Sequence, residues 1–325
     1  MTLLEAVPNI SEGKNPSVIH ALESFLRGCE GITFLGTDSN PCANRSVFTF
    51  IGSAQAMQNT LPQFIGLACR LIDMRKHQGA HPRLGAVDVC PLVPLKNISL
   101  SQCAALAQDI ARTTAEQLSL PIYLYEASAR EAQRKNLAFI RRGEYESLPE
   151  KLQNLPPDFG PKEFSSSVAK TGACVMGARN FLIAFNLNLN TSDPAPARII
   201  AAKIRQSGGG LTGVKAIGWY MDNFHRAQVS CNITDFHQAP LHRVFLAARQ
   251  EAQKIGVEIT GSELVGLVPL QAMLQTGKYF SPAAQTNTER IAHAVKALHL
   301  NEVKPFCAQE QILELKAGLQ DVKEL

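Results

Sequence analysis

Several features that mark secreted, membrane-bound or nucleic-acid-binding proteins are missing from this sequence of 325 residues. The N-terminus has no basic segment followed by an apolar run, and no apolar stretch approaches the ~18 residues of a membrane-spanning helix. The formal net charge is only +4, and the Lys and Arg residues are dispersed instead of forming a basic stripe with interleaved aromatics. We therefore expect a cytoplasmic protein without a membrane or nucleic-acid partner, although its charge is compatible with a small anionic ligand.

Common metal, redox and nucleotide motifs are missing as well. None of the eight cysteines forms a Cys-x-x-Cys pair, and most of them lie in apolar segments, as reduced core thiols do. The glycine run 208–210 has neither the lysine of a phosphate-binding loop nor the spacing of a dinucleotide-binding loop, which favours a flexible turn. We expect no nucleotide site, and the thiols fit the cytoplasm.

What the sequence does contain is a regular succession of apolar segments, with hydrophobic residues at 45% of its positions. In the first half the periodicity predicts strand 3–8, helix 15–25, strands 31–38 and 46–52, helix 54–74, strand 85–93, helix 99–118 and strand 121–125. Two of these strands follow one another with no helix between them. This order favours an α+β fold with a mixed or antiparallel sheet over a doubly wound parallel sheet.

The second half repeats this order after a segment of weaker periodicity. Residues 127–177 are charged and contain Pro and Gly, which is typical of a connection between domains. Beyond them, the pattern predicts strand 181–188, helix 196–206, strands 216–220 and 227–232, helix 241–254 and strand 257–260. We therefore expect an α+β fold of two similar α/β subdomains of the β-α-β-β-α-β type. Their sheets can face each other across a ligand cleft, or the seam can be plain packed core.

The densest polar cluster, residues 73–88, lies between the end of a predicted helix and the start of a strand. His77 and His81 would share one face of a continuous helix and suggest a metal site, but Gly79 and Pro82 indicate that the helix has already ended. We therefore expect no metal. Because histidine moves protons near neutral pH, His81 is a candidate general acid or base. The alternative is a loop histidine that caps the helix or binds the backbone.

Two further loops carry candidates for the same site. After the second strand, Asp38 is a candidate acid–base partner, and Arg45 offers a planar fork for a carboxylate. Asp38 can instead organise a turn through its own backbone, and Arg45 can be an ordinary surface residue. After the first strand, Asn9, Ser11 and Glu12 can line a pocket or simply cap the first helix.

A series of short motifs resembles, in the same order, the formiminotransferase domain of formiminotransferase-cyclodeaminase. The motifs are Val7-Pro-Asn-Ile-Ser-Glu-Gly13, Asn44-Arg-Ser-Val-Phe-Thr-Phe50, Leu71-Ile-Asp-Met74, His81-Pro-Arg-Leu-Gly-Ala-Val-Asp-Val-Cys-Pro91, Arg142-Gly-Glu-Tyr-Glu146, Pro157-Asp-Phe-Gly-Pro161, Gly177-Ala-Arg179, Ala216-Ile-Gly-Trp-Tyr220 and Leu264-Val-Gly-Leu-Val-Pro-Leu270. Each motif is weak alone. Together they extend from about residue 3 to about residue 310, and this ordered series makes the resemblance specific.

The resemblance implies a fold of two α/β subdomains whose sheets face each other around a folate tunnel. The first would comprise residues 1–177 and the second residues 178–310, followed by a helical tail over residues 311–325. Since no cyclodeaminase half follows, no deamination of the product is expected. The family also suggests a homodimer.

The resemblance also assigns candidate site residues. The catalytic histidine of the family falls on His81 and its acidic neighbour on Asp38. The folate-contacting loop of the family corresponds to residues 160–172, with the candidate contacts Gly160, Pro161, Lys162, Glu163, Phe164, Ser165 and Gly172. The part of this loop from Ser165 to Thr171 differs from a shorter, tryptophan-containing stretch in the mammalian enzyme.

The activity that the resemblance implies is that of a glutamate formimidoyltransferase in one-carbon metabolism and histidine degradation. Such an enzyme moves the formimino group between N-formimino-L-glutamate and N5 of tetrahydrofolate, with tetrahydrofolate as co-substrate and no metal. His81 would carry the proton, with Asp38 orienting the imidazole. The candidate substrate-binding residues are Asn9, Glu12, Arg45, Arg83 and Arg179, and Lys162 is a further candidate cation for the substrate carboxylates.

Two other functions are compatible with the same residues. The same site could accept the formyl group of 5-formyltetrahydrofolate onto glutamate, as a folate-repair reaction. A protein that binds folate without turnover would also keep the fold, although the presence of both His81 and Asp38 favours an enzyme.

Overall fold

A computed structural model describes residues 2–41, 43–79, 81–221 and 225–319. The chain divides into two compact units, residues 1–180 and 181–325. Within the described residues, no helix has the length and apolar character needed to cross a membrane.

The first unit contains seven strands and six α-helices in its described residues. The strands are β1 (Leu3–Ala6), β2 (Asn9–Ile10), β3 (Ile32–Asn40), β4 (Arg45–Gly52), β5 (Val87–Lys96), β6 (Ile122–Leu124) and β7 (Cys174–Ala178). The helices are α1 (Pro16–Arg27), α2 (Ala54–Leu71), α3 (Leu100–Leu118), α4 (Leu137–Ile140), α5 (Leu148–Asn154) and α6 (Ser166–Thr171).

The seven strands form one mixed sheet. β1 and β2 share the position between β4 and β5, and β3 forms the edge beyond β4, all in antiparallel pairs. On the other side, β7 lies between β5 and β6 and is parallel to both. The elements β1, α1, β3, β4, α2 and β5 thus form a ferredoxin-like β-α-β-β-α-β motif. The predicted order of the first half is confirmed.

Local sequence signals set the helices of this unit in place. Asn15 caps α1 by accepting from the Ser17 amide, and Pro16 occupies the first turn, where no amide donor is needed. Ser99 and Gln102 form a reciprocal capping box at the start of α3. The buried stripes of α1, α2 and α3 then cover one face of the sheet, where Phe48 lies in the core.

The other face of the sheet is covered at one end by residues that follow β6. Tyr123 and Val175 point to this face and form a small core with Ile140 and Leu148. The expectation that residues 127–177 connect two domains is therefore wrong, because this segment contains most of β7 and the cover of the first sheet. Its weak periodicity has a physical reason, since short helices and one fully buried strand leave no long amphipathic pattern.

The second unit contains four strands and six α-helices in its described residues. The strands are β8 (Ile183–Leu189), β9 (Val214–Met221), β10 (Arg226–Ile233) and β11 (Ile259–Val265). The helices are α7 (Pro194–Ile204), α8 (Leu241–Lys254), α9 (Leu270–Phe280), α10 (Asn287–Ala297), α11 (Ala308–Gln311) and α12 (Leu313–Lys316).

The second sheet is antiparallel throughout, in the order β11-β8-β10-β9. With α7 and α8 it repeats the β-α-β-β-α-β motif of the first unit, as predicted. Its core is formed by residues such as Phe185, Phe245 and Met273. The helices α9 and α10 were not predicted, and α12 lies in the expected helical tail, of which residues 320–325 are outside the described residues.

Candidate active site

Two histidines of the connection between α2 and β5 differ in what their rings contact. His77 Nε2 lies 3.0 Å from the carbonyl oxygen of Asn44, and its Nδ1 lies 3.3 Å from the Nε–H donor of Arg83. A carbonyl only accepts and a guanidinium only donates, so Nε2 carries the proton and Nδ1 is the acceptor. Burial lowers the pKa of His77, which fits this neutral, fully bonded ring. His77 therefore has no nitrogen free for catalysis.

His81 has one ring nitrogen bonded and one available. Its Nδ1 lies 2.7 Å from the carbonyl oxygen of Pro82, so this nitrogen donates and carries the proton in the neutral ring. No described side chain hydrogen-bonds Nε2, whose lone pair can accept a proton. Burial first, and then the positive charge of Arg45, lower the pKa of His81 to about 4. The ring is therefore neutral at physiological pH, with Nε2 available to accept a proton.

The charge beside His81 comes from a buried Arg-Asp-Arg cluster formed by Arg45, Asp88 and Arg141. Asp88 is fully buried and is the extra residue of a β-bulge, because β5 advances two residues while β2 advances one. Its Oδ2 accepts from Arg45 Nη1 at 2.6 Å and from Arg141 Nη2, and its Oδ1 accepts from Arg141 Nε at 3.2 Å. The Leu84 amide donates to Oδ1 at 3.0 Å. Both carboxylate oxygens are thus fully engaged.

This cluster carries an excess of positive charge. Burial alone would raise the pKa of Asp88, but Arg141 and Arg45 more than offset it and hold that pKa below its ordinary value. The carboxylate is therefore ionised and balances one of the two guanidinium groups. Asn9 fixes Arg45 from the other side, since its Oδ1 accepts from Nε at 3.1 Å and from Nη2 at 2.8 Å. The remaining unit of positive charge is available to an anion.

A second ion cluster borders a cavity of ≈ 420 Å³ in the first unit. Arg83 donates to both carboxylate oxygens of Glu146, at 2.7 and 2.6 Å, and to Glu144 at 3.0 Å. Hydrogen bonds from Arg83 lower the pKa of Glu146, so the pair is ionised. The cavity is lined by Gln78, Gly79, Arg83, Gly143, Glu144 and Glu146.

Comparison with known protein families identifies the family of this chain. Residues 3–179 match the N-terminal subdomain of the formiminotransferase domain, and residues 184–317 match the formiminotransferase domain itself. The chain belongs to the formiminotransferase family. The resemblance inferred from the motifs is confirmed.

Curated relatives of this family fall into two groups, one of similar length to this chain and one that is longer. The glutamate formimidoyltransferase of Streptococcus pyogenes serotype M1 is 41% identical over 86% of this chain and 93% of its own length. The one of Thermoplasma acidophilum is 39% identical over 86% of this chain and 92% of its own length. The formimidoyltransferase-cyclodeaminase of Rattus norvegicus is 42% identical over 96% of this chain, which spans only 59% of that relative's length.

Within this formiminotransferase fold, Asp38 lies on β3, opposite Val47 of β4. No hydrogen bond between described residues joins Asp38 to His81. The carboxylate that acts on the His81 ring through its charge is instead that of Asp88. The role of Asp38 therefore stays a prediction.

The predicted folate loop is largely exposed. Gly160 and the residues from Lys162 to Ser165 are accessible, and the Phe164 ring lies 6.5 Å from that of Tyr145. Ser165 caps α6 by accepting from the Val168 amide. Gly172 is buried, with a positive φ of 70°, and a Cβ there would lie 2.3 Å from the Leu84 carbonyl oxygen. Gly172 therefore shapes the loop through its backbone.

The other predicted substrate-binding residues have partners within the protein. Glu12 accepts from the amides of Lys14 and Asn15, which precede α1, at 2.8 and 2.9 Å. Arg83 is bound to two glutamates, and Arg179 donates to the Asn180 carbonyl at 2.8 Å. Arg45 and Asn9 contact each other in the Arg-Asp-Arg cluster.

Two members of this site, Asp88 and Arg141, had no role in the prediction from sequence. A signal for Asp88 exists, because it interrupts the apolar run from Ala86 to Cys90 with a charge that burial would penalise. No comparable signal marks Arg141, which lies among other basic residues of an irregular segment. No group of three or more potential metal ligands occurs among the residues that the structure describes.

Proposed function

We propose that this protein is a glutamate formimidoyltransferase. The observation that carries the proposal is His81, a neutral imidazole with an available Nε2, placed beside a cluster of excess positive charge. Such a pair suits proton transfer on a substrate that carries carboxylates. The family supports the proposal, since a relative of similar length bears this name.

In the proposed reaction the formimino carbon gains a bond to N5 of tetrahydrofolate and loses its bond to the glutamate nitrogen. His81 Nε2 takes the proton that leaves N5 and returns it to the departing glutamate nitrogen. The ring ends the cycle neutral, as it began. The bond from His81 Nδ1 to the Pro82 carbonyl keeps Nε2 as the accepting nitrogen throughout. We also propose that Asp38 assists His81 when substrates are bound.

The residues of the predicted folate loop fit tetrahydrofolate as the co-substrate. Exposed Phe164 offers a ring surface for an aromatic ligand, and exposed Lys162 offers a charge for a carboxylate. We propose that this loop binds folate, in the tunnel between facing sheets that the family resemblance implies. The first subdomain would supply the acid–base residues, and the second would complete the tunnel.

We further propose that the enzyme acts in the cytoplasm as a homodimer. The cysteines at 69, 90, 103, 174 and 231 are buried and free, and burial raises the pKa of Cys90 to about 12. Such inert thiols are compatible with a reducing compartment.

A comparison of two donors tests the proposed function. The purified protein is supplied with N-formimino-L-glutamate and tetrahydrofolate, and separately with 5-formyltetrahydrofolate and glutamate, and product formation is followed by absorbance. The proposal predicts turnover with the formimino donor. Turnover with the formyl donor alone would identify a folate-repair enzyme, and tight folate binding without either reaction would identify a binding protein.

A further inference from the structure

We propose that Arg141, together with Arg45 and fixed by Asp88, forms the subsite that binds the α-carboxylate of the amino-acid substrate. This inference rests on the proposed function and assigns a specific role to the buried Arg-Asp-Arg cluster. Three observations carry it: the charge balance of the cluster, the free donors of Arg141, and the position of the cluster relative to His81.

The charge balance of the cluster is incomplete within the protein. Two guanidinium groups surround one carboxylate, and the side chains of Arg45, Asp88 and Arg141 are only 10%, 0% and 14% exposed. An uncompensated charge at such depth is costly, because water is largely excluded. A bound anion would restore neutrality. A carboxylate fits best, since guanidinium forks match its two oxygens.

Of the two arginines of the cluster, only Arg141 has a guanidinium nitrogen, Nη1, with no acceptor among the described residues. Arg45 uses Nε and Nη2 on Asn9, and Nη1 on Asp88. Arg141 uses Nε and Nη2 on Asp88, and no described residue accepts from its Nη1. Arg141 is also the more exposed of the two arginines. An incoming carboxylate would therefore contact Arg141 directly, while Arg45 contributes chiefly its charge.

The position of the cluster favours the α-carboxylate of the amino acid over other substrate carboxylates. Arg45, Arg141 and Asp88 all act on the His81 ring through their charges, so the cluster lies near the proton carrier. The nitrogen that leaves in the proposed reaction is bonded to Cα, and so is the α-carboxylate. The γ-carboxylate is farther from that nitrogen. The carboxylates of the folate tail are separated from N5 by an aromatic ring.

The first test replaces Arg141 by Met and uses Arg142→Met as the matched control. Both changes remove one arginine charge at neighbouring positions, but the Arg142 side chain is exposed and lies over the Phe139 ring. Arg141→Met should raise the KM for N-formimino-L-glutamate by about 10- to 100-fold, the effect of losing a charge-assisted hydrogen bond. The KM of Arg141→Met for tetrahydrofolate should stay near that of wild type. In Arg142→Met, the KM values for both substrates should stay near those of wild type.

A substrate analogue separates the three carboxylate sources. With the α-amide of N-formimino-glutamate as donor, the KM of wild type should rise by about the same factor as the KM of Arg141→Met rises with the normal donor. When Arg141→Met is supplied with the α-amide, its KM should rise little further, because the variant and the amide remove the same interaction. Additive losses would overturn the α-carboxylate assignment. The assignment would also be overturned if the γ-amide raised the KM of wild type as much as Arg141→Met does. It would likewise be overturned if the rise in KM caused by Arg141→Met disappeared with tetrahydropteroate, which lacks the glutamyl tail.

Readouts other than turnover keep this inference separate from the proposed function. Isothermal titration with L-glutamate should show binding to wild type and to Arg142→Met, and a loss of affinity of at least tenfold in Arg141→Met. The melting temperature of Arg141→Met should not fall, because Asp88 keeps Arg45 as its counter-ion. A purely structural role of Arg141 would lower the melting temperature and leave L-glutamate affinity unchanged. If wild type binds L-glutamate but transfers no formimino group, the proposed function fails and the subsite stands.

Discussion

At the scale of single residues, two histidines four positions apart in one loop have different chemistry. His77 has both ring nitrogens bonded, whereas His81 has only Nδ1 bonded among the described residues. The sequence named His81 as the candidate proton carrier, and the family resemblance pointed to the same residue, but neither shows how the two rings are bonded. The partners that separate them, Asn44 and Arg83 for His77 and Pro82 for His81, depend on folding of the loop, which spacing alone does not determine.

The protonation of His81 can be measured directly. In the free protein, its imidazole should titrate near pH 4 instead of near 6.5, because burial and Arg45 disfavour the charged ring. NMR of histidine-labelled protein, with His81→Gln to assign the signal, measures this pKa. The variant Arg141→Met should shift it upwards by removing one nearby positive charge. A wild-type pKa at or above 6.5 would contradict the description of His81 as a desolvated base.

Asp88 should be the most sensitive carboxylate of the site. Asp88→Asn leaves two buried guanidinium groups around a neutral side chain, and the cost of breaking such a buried pair is about 3–5 kcal/mol of unfolding free energy. Urea unfolding would measure the loss. As the control, Asp109→Asn removes the carboxylate of the exposed pair with Arg112, which should cost about 1 kcal/mol or less. Equal effects of the two changes would show that Asp88 is not a buried counter-ion.

At the scale of elements, hydrophobic periodicity predicted most of the strands and helices. Helix α8 has the predicted bounds, Leu241–Lys254, because its buried residues recur at helical spacing on one side. Strand β7 was missed, since its five residues are all buried and carry no alternation. Its pairing with β5 and β6 comes from residues distant in sequence. The position of Asp88 in a β-bulge depends on such pairing too, because a bulge is defined by the register of β5 against the neighbouring strand β2.

A contact between Gly85 and Gly172 connects the segment that carries His81 to the end of helix α6. Gly172→Ala should destabilise the protein, because its φ of 70° is strained for alanine and the new Cβ would lie 2.3 Å from the Leu84 carbonyl oxygen. Gly209→Ala is the matched control, since Gly209 also has a positive φ but no atom within 4 Å of the added Cβ. The control should cost about 1–2 kcal/mol.

The apparent urea midpoints of the two glycine variants compare these effects. Gly172→Ala should have the lower midpoint and should also weaken folate binding, because α6 lies in the predicted folate loop. If Gly172→Ala were no more damaging than Gly209→Ala, the close approach of the two backbones would not limit this position.

At the scale of the whole molecule, the chain contains the same β-α-β-β-α-β motif twice, each with its own sheet and core. The sequence predicted this repeat, because the order of strands and helices survives even where individual bounds shift. It did not predict α9 and α10 of the second unit. Of the residues that the structure groups in the first unit, the sequence named His81, Arg45 and Asn9 as candidates. Their grouping with Asp88 and Arg141 required the folded structure.

The stability of the whole chain should fall as the pH decreases from 6.5. The pKa values of His77, His81 and His242 are all lowered, mainly by burial, with that of His81 at about 4 against an ordinary 6.5. Below pH 6.5 the unfolded chain therefore binds protons that the folded chain does not, which favours unfolding. The melting temperature should thus decrease between pH 6.5 and 5, before most carboxylates titrate.

Histidine variants identify the source of this pH dependence. His81→Gln should flatten the decrease in melting temperature, because it removes one of the partly buried histidines whose pKa is lowered. His20→Gln is the control, since the His20 side chain is 83% exposed. A melting temperature that stays constant or rises on acidification over this range would contradict the lowered histidine pKa values.

The central claim is that His81 carries the proton in formimino transfer, and single-turnover kinetics test it most directly. Wild type and His81→Ala are mixed with tetrahydrofolate and N-formimino-L-glutamate, and the rate of the chemical step is measured at saturation. General acid–base catalysis by His81 predicts a rate about 100-fold or more lower in the variant, with unchanged folate affinity and melting behaviour at pH 8. A rate within about threefold of wild type would contradict the claim.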